Sequence, residues 1–553
     1  MNNLSDESLP LLDGKDRLSD GGEVPAERSY RSLATAWVAV ATLVRLVAVG
    51  PLPLGNGEAY YFTWSRFLGW SYYDHPPLVA WMVRLTTSLG ISSATVRLGP
   101  ILAAGLFGLL LYRLAERLVR PRAAFFALVL VTALPNFLAS SFILNPEAPL
   151  APLWVGFLLA VEGMREEDDA YRPLLAGALL GFAFLAKYTG VLLVPAALLY
   201  VVASPRMRRW LGRPSFYAGA AVALAIALPV VAWNAARGWP SLHLHFVERA
   251  GAAAPAVGEN TINHLVEISS SDGAGWIHGI ARVLVGQLMA YSPLLFPLLV
   301  VGLVQSLRRV QRDDRDLFLT AFSWPVLLPL LVAMTALKDA EQHWTMMAFV
   351  PATICAGRFA DEMWSRSRVL RIMTITGVAL SGAVFLLANV HARTTALLRL
   401  IPSHQYDARA DMINELVGWD QVRASVARAA SSSRGEVVLA SNHYSLCGRL
   451  FFETDDTPPV YCPTARRSAF DFFGRRDVPA NATVIALTSD IHEDLPEGLS
   501  ARSCVLAEQV DIDRGGRTVA RYYVRSCPPA ESPKDAPREA LIGRRPSLQA
   551  SAD

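Results

Sequence analysis

The chain has 553 residues, of which 52% are apolar and only 18% charged, with a net charge of +3. Ordinary soluble domains carry about 25% charged residues, so this composition argues for a membrane protein. The small net charge excludes an electrostatic case for nucleic acid binding.

Residues 1–30 are polar and acidic, with Gly, Ser and Pro and no apolar core. They are expected to form a disordered cytoplasmic tail rather than a cleavable signal peptide. A helix needs roughly 20 apolar residues to cross a bilayer. On that criterion spans are predicted near 33–52, 96–117, 123–142, 149–164, 173–186, 189–203, 215–235, 281–306, 316–336, 344–360 and 370–391, eleven in all. The loops after the second, fourth, sixth, eighth and tenth spans hold eighteen Arg and no Lys. The opposite short loops are nearly empty: "SFILNPE" has no basic residue and "LKDAEQ" has only Lys338. By the positive-inside rule the N-terminus is cytoplasmic and the chain beyond about 392 is outside. Residues 31–395 are thus expected to form a transmembrane domain with long outer loops at 53–95 and 236–280.

The first outer loop reads "GNGEAYYFTWSRFLGWSYYDHPPLVAWMVRL". Tyr60, Trp64 and Phe67 recur at helical spacing, which predicts a helix over 58–70. Leu78, Trp81, Met82 and Leu85 predict a second, opened by Pro76 and Pro77. Both are expected to lie flat in the interface, with their aromatics at head-group level. Glu58, Asp74 and His75 are thereby held near the membrane surface. Each also has a bland reading: Glu58 as a first-turn acid, Asp74 as a helix cap, His75 as a structural donor.

Other outer segments add Glu147 before span four and Lys187 with Tyr188 after span five. They also bring His243, His245 and Arg249 after span seven, and Lys338, Glu341 and His343 before span ten. Charges at such depth are costly and generally functional. Acids mixed with Lys, Arg and His on one face suit a lipid phosphate held by cations and a carboxylate acting on an acceptor. Lys187 has a snorkelling alternative. "HLH" lacks an obvious third ligand and is not taken as a metal site. Arg45, an unusual charge in the first span, invites an acid partner within the bundle.

Beyond the last span, residues 396–530 are expected to form a small α/β extracytoplasmic domain. "DMINELVGWDQVRASVARAA" has a helical period, while "EVVLAS", "TVIALTS" and "RYYVRS" read as strands. Cys447, Cys462, Cys504 and Cys527 suit an oxidising compartment, with three pairings open. Cys504–Cys527 would close a hairpin around "RGG"; reduced buried thiols are the alternative. Residues 531–553 are expected to be a disordered tail.

Six segments together carry a family resemblance: "EAYYFTWSRFLGWSYYDHPPLVAWMVRL", "NPEAPLAPLW", "GFAFLAKYTGVLLVPA", "WNAARGWPSLHLHF", "YSPLLFPLL" and "HWTMMAFVPA". In this order, over about 32–360, the chain resembles bacterial members of the dolichyl-phosphate-mannose protein mannosyltransferase family, with the C-type glycosyltransferase fold. That family includes aminoarabinose transferases acting on lipid A and galacturonosyltransferases acting on the lipopolysaccharide core. The resemblance implies an inverting enzyme of the inner membrane. It would move one sugar from a polyprenyl-phosphate donor to a lipid, glycan or protein acceptor, without a nucleotide sugar. The family's first loop usually carries an Asp-Glu pair, its Asp the expected base; here the pair is Gly57-Glu58. Its second loop usually carries Asp before Ala-Pro-Leu; here that residue is Glu147. Glu58, Glu147 and Asp74 are the candidate catalytic acids. Lys187, Arg249, Lys338 and His343 are the candidate donor-phosphate ligands, and His75 and Tyr188 the sugar or loop contacts. The sequence names no cofactor with certainty and leaves a divalent metal open. The alternatives are a catalytically impaired relative that binds lipid-linked sugar, and a lipid or sugar transporter.

Overall fold

The computed structural model describes residues 25–50, 52–249, 276–337 and 340–530. Lys338 and much of the 236–280 loop lie outside the described residues.

The first half of the chain is helical: α1 (Pro25–Ala48), α2 (Asn56–Trp64), α3 (Leu78–Thr86), α4 (Ser93–Leu118), α5 (Pro121–Ala133), α6 (Pro135–Ser140), α7 (Glu147–Glu166), α8 (Tyr171–Ala186), α9 (Leu193–Ala203), α10 (Pro214–Ala235) and α11 (Pro240–His243). There follow α12 (Trp276–Ala290), α13 (Phe296–Arg309), α14 (Asp314–Ala321), α15 (Trp324–Ala336), α16 (Phe349–Met363) and α17 (Arg368–Arg393). Among the described residues, six stretches are long and apolar enough to cross a membrane: Ser29–Ala48, Ser93–Leu118, Glu147–Glu166, Pro214–Ala235, Asp314–Ala336 and Arg368–Arg393.

Local chemistry sets the breaks. Leu134 extends before Pro135 and divides the expected 123–142 span into α5 and α6. The expected 281–306 span is also two helices. Ser292 adopts φ 70°, and Pro293 and Pro297 follow, so the ladder cannot run through. Elsewhere small residues let helices close up. A Cβ on Gly177 of α8 would stand 1.9 Å from the Gly219 carbonyl oxygen of α10, so this crossing requires glycine.

The C-terminal part contains α18 (Trp419–Ser432), β1 (Val437–Ser441), α19 (Tyr444–Thr454), β2 (Val460–Tyr461), α20 (Ala469–Phe472), β3 (Thr483–Ser489), β4 (Val505–Arg514) and β5 (Arg517–Cys527). The sheet order is β2-β1-β3-β5-β4. β1 runs parallel to β2 and β3, and β5 antiparallel to β3 and β4. Gly515 and Gly516, both at positive φ, make the β4–β5 turn. Disulfides join Cys447 to Cys462 and Cys504 to Cys527, and Cys355 is free and buried.

The sheet region sits directly on α2, which corrects the interfacial reading of that helix, while Leu85 of α3 remains exposed. Tyr60, Phe62 and Trp64 are buried. Tyr60 packs on Tyr444 and Phe470, Phe62 on Phe451 and Phe452, and Phe67 on Phe473. A Cβ on Gly448 would come within 2.7 Å of the Tyr60 Cα, so α19 can lie on α2 only with glycine there. Buried Arg449 clamps the contact by donating to the Leu54 carbonyl, with its guanidinium over the Trp419 ring. The predicted 58–70 helix stops at Trp64. The Tyr72 hydroxyl donates to the Trp64 and Phe67 carbonyls, which a continuing helix would have used.

Candidate active site

Glu58 is buried and saturated. Arg97, the fifth residue of α4, donates to both of its oxygens, at 2.9 and 2.5 Å. The amides of Gly55 and Leu144 also donate to it, at 2.9 and 3.1 Å. The remaining Arg97 donors hold the carbonyls of Val49, Leu52 and Pro53. Glu58 therefore ties α2, α4 and the loop before Glu147 together, close to its bland first-turn reading. Arg97 was missed in the sequence. Its signal was a cation near the outer start of an apolar helix, far from Arg113 and Arg117 at the other end.

Glu147 opens α7 and is buried. Its Oε1 is paired with Lys187, which caps α8, and lies 3.1 Å from His343 Nε2. His343 Nδ1 lies 3.1 Å from Glu341. Burial opposes the charge of His343, yet the carboxylates of Glu147 and Glu341 prevail and raise its pKa. Lys187 is itself buried and does not snorkel. The second oxygen, Glu147 Oε2, is buried without a hydrogen-bond partner. An ionised carboxylate oxygen in this position ordinarily finds a donor.

Asp74 is not a cap; Pro77 holds that position on α3. Its Oδ2 accepts from the Tyr60 hydroxyl at 2.7 Å, and its carbonyl meets His245 Nε2 at 2.9 Å. Burial raises the Asp74 pKa. His75 packs against Tyr61, Trp64 and His245. Burial, then the nearby Lys187 charge, holds it neutral. Burial and Arg249 take the His245 pKa down to about 4. The Tyr188 hydroxyl meets Ser71 at 3.2 Å and packs on His245. Arg249 lies over the Trp344 ring. The pKa of half-buried Tyr61 is raised by burial and then by the charges of Asp74, Glu147 and Glu341, with Arg249 opposing, so groups from four chain segments act on one ring. Tyr61 and Glu341 were visible in the quoted motifs but had been given no role. Glu248, which receives the Tyr73 hydroxyl at 2.8 Å and His243 at 3.0 Å, carried no signal.

No group of three His, Cys, Asp or Glu side chains suited to a metal ion occurs among the described residues. Glu147 and Glu341 face cations of the chain instead.

Residues 74–233 match the family model described as dolichyl-phosphate-mannose-protein mannosyltransferase. Over that segment the chain is similar to this family. It is 26% identical over 404 residues to a lipid A galacturonosyltransferase, RgtD, of Rhizobium johnstonii, covering 72% of this chain and 77% of the relative. Its fold is similar to ArnT from Cupriavidus metallidurans. The apo structure superposes with a TM-score of 0.56 at 17% identity, over 90% of this chain and 98% of that one. The structure of ArnT bound to undecaprenyl phosphate gives 0.57 at 16% identity, over 89% and 98%.

Proposed function

We propose that the protein is a membrane glycosyltransferase that moves a single sugar from a polyprenyl-phosphate donor to a cell-envelope lipid, glycan or protein acceptor, with inversion. The observation that carries this reading is Glu147: a buried carboxylate with one oxygen held by Lys187 and His343 and the other unpartnered. A relative named as a lipid A galacturonosyltransferase, and a fold shared with a protein solved bound to undecaprenyl phosphate, support the substrate class.

In this reading Glu147 Oε2 accepts the proton of the acceptor hydroxyl. The hydroxyl oxygen attacks the anomeric carbon from the face opposite the phosphate. The bond from that carbon to the phosphate oxygen breaks, and polyprenyl phosphate leaves. Arg249, Lys187, His343 and Lys338 offset its negative charge as it departs. Asp74, His75 and Tyr188 line the sugar side. Glu58 acts through Arg97, holding the loops that carry Glu147. The proposed architecture has eleven spans, a cytoplasmic N-terminus in the inner membrane, and the 396–530 domain as an extracytoplasmic roof.

The test is purified protein in nanodiscs with a panel of polyprenyl-phosphate sugars and envelope lipids, read as release of free polyprenyl phosphate. Release that depends on acceptor supports the reading. A folded protein silent across the panel counts against it.

Gly57 favours a second reading, an impaired relative that binds lipid-linked sugar. A Cβ at Gly57 would meet nothing within 4 Å, so Gly57→Asp should fold as wild type. An acid in the first turn of α2 also suits the helix dipole. A rise in transfer of about tenfold or more on Gly57→Asp marks a decayed site. Unchanged, measurable wild-type transfer marks a base relocated to Glu147.

A further inference from the structure

Arg45 lies three residues from the end of α1 and is 6% exposed. No side-chain hydrogen bond or ion pair reaches it among the described residues, and its Nε is buried without a partner. The acid expected to pair with it is not there. A buried guanidinium in a membrane helix with no counter-ion is costly, and such charges ordinarily find an anion.

Two cavities meet at this side chain. One is small, about 30 Å³, and Arg45 shares it with Glu147, Ser140 and Ser141. The other is an apolar groove of about 230 Å³ between α1, α5 and α17, running from Arg45 to Trp37. Eight residues of helix separate those two, so the groove descends roughly 12 Å along α1. That is close to the depth of one leaflet's hydrocarbon, about 15 Å. Its wall includes the exposed Val40 and Val44, facing where lipid would lie. An apolar channel ending in an unpaired cation has the complementarity of a lipid with an anionic head.

We propose that Arg45 is the anion-binding residue of an intramembrane subsite, in which the groove between α1, α5 and α17 takes an acyl chain of a phosphate-bearing lipid. The phosphate meets Arg45, and the polar part of the lipid reaches Glu147. On the functional reading above, and resting on it for this point alone, that lipid is the acceptor. It approaches Glu147 from the Arg45 side, while the donor phosphate lies on the Lys187–His343 side. Arg45 then selects for the acceptor's charge and positions it; it touches no reacting atom.

The test is photolabelling of the full chain in nanodiscs, which needs no turnover. The probes are a diazirine-bearing phosphatidic acid, its uncharged diacylglycerol counterpart and a diazirine-bearing prenyl phosphate. Phosphatidic acid should label the groove walls formed by α1 and α17. Arg45→Gln should reduce that labelling roughly tenfold, as expected for loss of a charged hydrogen bond, and Arg45→Lys should restore much of it. Diacylglycerol labelling should be weak and unchanged by either variant. Gly382→Phe fills the groove from α17, where a Cβ meets nothing within 4 Å. It should block labelling in a protein with a wild-type melting temperature. Equal labelling by the charged and uncharged probes, or no loss in Arg45→Gln, overturns the proposal. Preferential labelling by prenyl phosphate also overturns it and assigns the groove to the donor. A chain that labels as expected but transfers no sugar leaves the subsite standing and removes only the enzymatic reading.

Discussion

At the residue scale the site is a small set of charges whose neighbours limit what each can do. Glu147 and Lys187 are both buried, so removing either alone strands the other, at a cost of about 3–5 kcal/mol. Glu147→Gln is therefore expected to lose both stability and transfer. The double variant Glu147→Gln/Lys187→Met separates these effects. Its melting temperature should recover, while transfer stays down by roughly 100-fold or more. Recovery of both would make Glu147 a structural ion pair and nothing further. His343 adds a pH dependence. Its pKa is raised from 6.5 by Glu147 and Glu341, against the opposing effect of burial. The folded state thus holds the proton more tightly than the unfolded chain. The stabilisation is full below pH 6.5 and is lost as pH rises through the raised value. Wild type should exceed His343→Gln in melting temperature at pH 6, with the gap narrowing toward pH 9. A gap that widens with pH would contradict the pairing.

At the scale of elements, the knot around Arg97 explains how the first outer loop is held. Residues 52–55 form no helix or strand before α2, and the guanidinium substitutes for regular structure by binding three carbonyls and one carboxylate. Glu58→Gln should therefore destabilise the protein by about 3–5 kcal/mol, since the buried Arg97 loses its counter-charge. Thermal melts check this directly. A wild-type melt with transfer abolished would return Glu58 to the role of base. The sequence motif around Glu58 was easily read, but its partner stands 39 residues away, and spacing along one strand of sequence carries no information about such a pair. The strands of the sheet were legible for the opposite reason. Alternating and buried apolar runs such as "TVIALTS" fix their own conformation, and Gly515-Gly516 fixes the turn.

At the scale of the whole molecule, the arginine asymmetry of the loops predicts sidedness. Cys355 is buried and the other four cysteines are bridged, so native protein should be nearly blank to maleimides. A membrane-impermeant maleimide applied to spheroplasts should label Asp420→Cys, an exposed site on α18, and spare Arg308→Cys at the end of α13. The reverse pattern would invert the topology and put the candidate site on the cytoplasmic face. The sheet region also does more than cap one end. Its α19 and α20 cover Tyr60, Phe62 and Phe67, and α20 supplies the amide that donates to the Tyr60 hydroxyl at 2.8 Å. Tyr60 in turn holds Asp74, so this region buttresses the site from above.

Composition, hydrophobic run length and loop charge depend only on residues near one another in the chain. They determined the helical membrane character, four of the five strands and the first helix of the C-terminal region, and the family resemblance. Pairings depend on long-range packing, and only the tertiary structure decided them. It gave Glu58 to Arg97, set Lys187 and His343 on one oxygen of Glu147, and moved the loop aromatics from the lipid interface to a protein contact. It also left Arg45 without the acid that its position had invited. The physical reason is the same in each case. The energy of a buried charge or ring is set by what surrounds it in space, and the chain brings those surroundings from distant segments.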